Sequence, residues 1–149
     1  MHPGIHAKHH PDKPALIVPS RDVTVTYREL DESSNRAAQL FRSLGLVPGD
    51  GIAILLENHP RFYEVVWGAQ RSGLYYTPMS TRLTPGEAEY IVADCDAKVL
   101  VTSKALAATA SGSCAFHAAY VASFTSSVRA RRSVMPYQSA SRGHRRSTR

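Results

Sequence analysis

The sequence is poor in cysteine. Cys95 and Cys114 are the only two in 149 residues, and neither has a CxxC partner. That excludes a zinc ribbon and a disulfide framework, and both read as ordinary thiols. Long apolar runs are also missing: no stretch approaches the roughly 18 to 20 residues of a membrane-spanning helix. The opening MHPGIHAKHHPDKP has neither the apolar segment nor the small-residue cleavage site of a secretory signal, so the cytoplasm is the expected compartment. Acids are absent after Asp96. Residues 1–104 hold 11 Lys and Arg against 12 Asp and Glu, a net of −1, whereas residues 105–149 hold seven Arg and no acid, a net of +7. Ala, Ser and Arg make up 26 of the last 45 residues, a change of composition class. The length allows one compact domain and excludes two full ones.

What is present in the first two thirds alternates between strand and helix signals. ALIVPSRDVTVT, residues 15–26, carries two short β-rich runs around Pro19-Ser20-Arg21-Asp22 and predicts a hairpin. Thr26 and Glu29 form a capping box, and Leu30, Ala37, Leu40, Phe41 and Leu44 give an apolar stripe, so a helix is expected from Tyr27 to Leu44 with Gly45 at its left-handed end. The continuously apolar run Gly51–Leu56 reads as a central strand covered on both faces. Asn58 is the expected cap of a second helix, with Pro60 in its first turn, an apolar face of Phe62, Val65, Val66 and Ala69, and Gly73 at its end. Leu74–Met79 is the next strand. Thr84 and Glu87 repeat the capping box with Pro85 at the first helical position, and Tyr90, Ile91 and Ala93 are expected to point inward from a helix ending near Cys95. Lys98–Thr102 is another buried strand. Such alternation with short loops specifies an α/β fold with a mainly parallel sheet.

Isolated chemical signals are weak. His2, His6, His9 and His10 could cluster, and His2 with His6 would share a helical face, but Pro3 and Gly4 interrupt the stretch and no Cys or carboxylate completes a metal set. A polar amino terminus is the simpler reading. His59 stands at a strand-to-helix junction, where open α/β sheets bind ligands, but a capping or surface histidine is the favoured reading. Trp67, Tyr75 and Tyr76 could line an acyl pocket, core packing being the commoner role for such residues. GLVPGD, residues 45–50, follows a helix and precedes a strand, the reverse of the order in a phosphate loop, and is a turn.

The ordered, gap-free text from PDKPAL through TYREL, LGLVPGD and RSGLYYTPMSTRLTP to about Ser103 resembles the amino-terminal segment of the adenylate-forming acyl-CoA synthetases, particularly the long-chain fatty-acid CoA ligases. The resemblance covers about two thirds of the chain and about the first fifth of a full-length enzyme. It implies a family that forms an acyl-adenylate from a fatty acid and Mg-ATP, then passes the acyl group to coenzyme A. Fatty acid, ATP, Mg2+ and coenzyme A are the family's partners. The family holds its phosphates on a Ser/Thr/Gly-rich loop ending in lysine, with a downstream Thr-Glu pair, a ribose-binding aspartate and a late catalytic lysine. None is found here. TSKALAATASGSCAF, residues 102–116, lacks the glycines and the terminal lysine in order. No catalytic, cofactor-binding or metal-ligating residue is therefore assigned. The expectation is an amino-terminal part of a ligase, residues 1–104, catalytically incomplete alone.

Residues 105–149 admit three readings: an arm binding nucleic acid or an anionic surface through Arg129, Arg131, Arg132, Arg142, Arg145, Arg146 and Arg149, an irregular Ser/Arg-rich extension, or translation of a GC-rich region in the wrong frame. Phe116, Tyr120, Phe124 and Tyr137 all precede the densest arginines, so the aromatic interleaving of a stacking platform is missing. The out-of-frame account is favoured, and an irregular segment is expected from Gly112 onward. Missing cover over Ile52, Ile54, Leu55, Val99 and Val101 is expected to leave apolar faces bare, with self-association through an open sheet edge.

Overall fold

The computed structural model describes residues 2–111 and 119–121. A short helix, α1 (Pro3–His9), precedes an antiparallel hairpin of β1 (Pro14–Val18) and β2 (Val23–Thr26), closed by one 3-10 turn over Pro19–Arg21. Asp22 takes the left-handed conformation (φ 50°) that reverses the chain. Thereafter α2 (Tyr27–Ser43), β3 (Gly51–Leu55), α3 (Pro60–Arg71), β4 (Tyr75–Pro78), α4 (Pro85–Asp94), β5 (Ala97–Thr102), α5 (Ala107–Ser111) and β6 (Ala119–Val121) alternate. The strands form one parallel sheet in the order β4-β3-β5-β6. This is the expected α/β class, with β3 inside the sheet.

Local signals explain the helix starts. Thr26 and Glu29, and Thr84 and Glu87, form reciprocal capping boxes in which each hydroxyl accepts from the third amide and each carboxylate accepts from the cap's own amide. Gly45 (φ 82°) and Gly73 (φ 70°) follow α2 and α3 in the left-handed region that ends a helix cheaply only with glycine. At α3 the cap is His59, not Asn58: the His59 Nδ1 accepts from the Arg61 amide at 3.2 Å, and Pro60 then occupies the first helical position.

Two cores lie on opposite faces of the sheet. Ile52, Ile54, Val99 and Val101 pack with Ala37 and Phe41 of α2 and Val65, Val66 and Ala69 of α3. Ala53, Leu55, Ala97 and Leu100 pack with Met79, with Ala88 and Val92 of α4 and with Ala110 of α5. The expectation of bare faces over Ile52, Ile54, Leu55, Val99 and Val101 is thereby overturned. All five are buried, because successive crossover helices fall on alternate sides and cover both faces from within the chain.

A second correction concerns α4. Tyr90 is 69% exposed and Ala93 is exposed, while Ala88 and Val92 point inward with Ile91 half-buried. The inward stripe is set by the helical period through two small residues, and it carries Tyr90 to the opposite side. The sheet also extends further than the sequence analysis places it, since β6 pairs with β5 through Leu100, Val101 and Thr102. Apart from Ala119–Val121, the segment from Gly112 onward, with all seven of its arginines, lies outside the described residues. Among those described, no helix is long and apolar enough to cross a membrane.

Candidate functional site

In this sheet β4 lies on one side of β3 and β5 on the other, so the chain changes direction between β3 and β5. Open α/β sheets place ligands at such a switch point, outside the carboxyl ends of the two strands. Glu57 follows β3 and Ser103 follows β5. The Ser103 Oγ donates to Glu57 Oε1 at 2.8 Å and accepts from the Leu106 amide at 3.3 Å. The pair thus ties the ends of β3 and β5 together and anchors the turn into α5.

His59 stands beside it, as expected of a strand-to-helix junction, with its Nδ1 committed to the start of α3. Burial, then the positive charges of Arg21 and Arg61, hold its pKa below the ordinary value, so the ring stays neutral. The neutral ring with an accepting Nδ1 carries its proton on Nε2. The edge therefore offers a carboxylate, a hydroxyl and an imidazole. Ser103 is bonded to a carboxylate rather than to a histidine, so no activated nucleophile is assembled. Among the described residues no group of three His, Cys, Asp or Glu side chains is placed to hold a metal ion.

The other candidates are dispersed. Trp67 meets the His2 ring edge-on, with centroids 5.4 Å apart, and His6 tilts over Tyr27 at 4.9 Å. Tyr75 and Tyr76 lie on the edge strand β4, and Tyr75 is 74% exposed, so core packing does not account for it. The pairing of Glu57 with Ser103 was not anticipated, although both immediately follow an apolar strand. A second feature missed from sequence is the Arg71 guanidinium at the end of α3. It donates to Asp31 Oδ1 at 2.7 Å, to Ser34 Oγ at 2.9 Å and to Asn35 Oδ1, three acceptors on one face of α2. The i, i+3, i+4 spacing of those three polar residues is the signal that could have shown it.

On α3, Glu64 has its pKa raised above the ordinary glutamate value by burial, partly offset by Arg61 and Arg36. The folded state then holds this proton more tightly than the unfolded state, so the group's contribution to stability falls as pH rises from the ordinary glutamate range through the raised midpoint. Glu64→Gln removes that loss. Chemical denaturation across a pH series should find the variant more stable than the parent near neutrality, with the difference vanishing in acid.

A family described as AMP-binding enzyme matches residues 5–140. The chain belongs to that family. Over 97 residues it is 37% identical to the fatty acid–acyl-carrier-protein ligase ScoC of Streptomyces coeruleorubidus, an alignment covering 65% of this chain and 18% of the relative. Over 87 residues it is 34% identical to the long-chain-fatty-acid–CoA ligase FadD13 of Mycobacterium tuberculosis, covering 58% of this chain and 17% of the relative. Among solved structures, the N-terminal domain of FACL13 from Mycobacterium tuberculosis superposes with a TM-score of 0.68 and 31% identity, over 72% of this chain and 27% of that one. This family member therefore corresponds to the amino-terminal part of acyl-CoA ligases and spans under a fifth of the length of the curated relatives it matches.

The family's name implies a nucleotide, and the residues described do not fit one. At the switch point the Glu57 carboxylate already accepts the Ser103 hydroxyl hydrogen bond, so the pair offers negative charge where a polyphosphate needs donors.

Proposed function

We propose that residues 1–104 supply scaffold and part of a substrate-side wall of an ATP-dependent acid–thiol ligase acting on a fatty acid, and that this chain alone does not complete the reaction. One observation carries the reading: the family match is extensive, yet no Ser/Thr/Gly-rich loop ending in lysine follows β5, where TSKALAATASGSCAF stands instead. Adenylation places a carboxylate oxygen at the α-phosphorus and stabilises charge on the departing pyrophosphate. The switch-point residues of this chain provide neither service. Their part is structural, with Glu57 and Ser103 tying the ends of β3 and β5 together.

The relatives transfer to coenzyme A in one case and to an acyl-carrier protein in another, so the reading extends to fatty-acid activation with a thiol acceptor. Exchange of labelled pyrophosphate into ATP over a panel of fatty acids tests it. The expected result is exchange no greater than a protein-free blank, and turnover well above that blank overturns the proposal.

A further inference from the structure

Little of α1 is buried. Pro3 is the one buried residue among its seven, and so short a helix does not hold without tertiary support. Two histidine rings supply much of that support: His2, which caps α1, meets Trp67 of α3 edge-on at 5.4 Å, and His6 lies over Tyr27 of α2 at 4.9 Å. The segment that follows is fixed separately. The Tyr27 amide donates to the Lys13 carbonyl and the Arg28 amide to the Pro11 carbonyl, both at 3.0 Å, and Arg28 pairs with Asp12. Release of α1 therefore stops at Pro11 and does not pull on the hairpin or on α2.

The seated His2 ring has no place for a second proton. Its Nδ1 accepts from the Gly4 amide at 3.1 Å, so the neutral ring carries its proton on Nε2, which is buried without a hydrogen-bond partner. Another proton enters only at Nδ1, where it faces the Gly4 N–H and ends the cap. It also adds positive charge near Arg71, whose guanidinium is already held by Asp31, Ser34 and Asn35. Burial, then Arg71 of α3, lowers the His2 pKa from the ordinary histidine value, with Asp31 of α2 opposing and the amino terminus adding a smaller push. Arg28 and Glu32 of α2, which also border α1, carry opposite charges. Lys8, His9 and His10 are exposed, and a charge on His6 would gain from the Tyr27 ring, so none of these drives release. A freed His2 returns to the ordinary value. Docking is therefore strongest above that value and weakens as pH falls towards the lowered midpoint.

We propose that α1 is a pH-sensitive strap: protonation of His2 at Nδ1 releases it from α2 and α3 and uncovers the Trp67 indole while the sheet stays folded. This device goes beyond the ligase reading and does not depend on it.

Trp67 is the only tryptophan, so its indole reports on the strap directly. The test follows acrylamide quenching of the full chain from about pH 8 to about pH 5, the range in which histidine titrates. Quenching should rise several-fold in one step with its midpoint below the ordinary histidine value, while the far-ultraviolet circular dichroism of the sheet persists. Long-range nitrogen–proton NMR should show His2 Nδ1 protonating in the same step. His2→Asn keeps a side-chain oxygen for the Gly4 amide but cannot take the proton; whether its strap rests closed or open, the step should vanish. His6→Gln should retain it. Quenching that stays flat while Nδ1 protonates overturns the proposal, as does an unchanged step in His2→Asn, a step lost in His6→Gln, or loss of the sheet together with α1.

Discussion

Phe41→Ala is expected to destabilise the fold by about 3–5 kcal/mol, the range found when a buried aromatic is truncated in a well-packed core. Phe41 is 2% exposed and sits where α2 meets the sheet, in one cluster with Ile52, Ile54, Val65 and Val99. Four elements meet there, so the cavity cannot collapse by shifting any one of them. Against a typical domain stability of about 5–15 kcal/mol the loss is a large fraction of the whole. Equilibrium urea unfolding should show a lower midpoint at an unchanged slope.

Gly68→Ala is expected to cost about 1–3 kcal/mol, although alanine is the better helix former by about 1 kcal/mol. The steric term wins because α3 rests directly on α2 at this glycine. An added Cβ would lie 2.6 Å from the Ala37 Cβ, 3.1 Å from the Ser34 carbonyl oxygen and 3.2 Å from the Ala38 amide nitrogen. None of these is the movable end of a flexible side chain, so the two helices must separate and loosen the Arg71 fork to Asp31 and Ser34 a turn away. Paired with Ala37→Gly in a double-mutant cycle, much of the loss should be recovered; additive costs would show that the helices do not meet here.

Features set within a few residues were legible in the sequence. The capping boxes at Thr26 and Thr84, the turn at Gly45–Asp50, the hairpin around Pro19 and the buried runs at Ile52 and Val99 are stated by neighbouring residues, and each stands where expected. The errors arise where distance or size misleads. Tyr90 is exposed where an inward position is expected, because Ala88 and Val92 fix the phase of α4. His59 replaces Asn58 as cap because Pro60 sets the first helical position one residue later than asparagine would need. The supposed bare faces depended on which side each crossover helix takes, which no single segment states. The Arg71 network joins residues 36 to 40 positions apart and needs the pairing of α2 with α3, of which the spacing of Asp31, Ser34 and Asn35 is the one local sign; Glu57 meets Ser103 across 46 positions, which appears only when the sheet order is known.

A chain spanning under a fifth of its relatives' length covers both faces of β3 and β5 from within itself. Amide hydrogen exchange of the full chain at neutral pH tests this most directly. The slowest amides should fall in Ile52–Leu55 of β3 and Val99–Thr102 of β5, which are covered on both sides, with faster exchange in the edge strand β4 and in the β1–β2 hairpin. Exchange of the β3 and β5 amides at the rate of unprotected peptide would contradict the account.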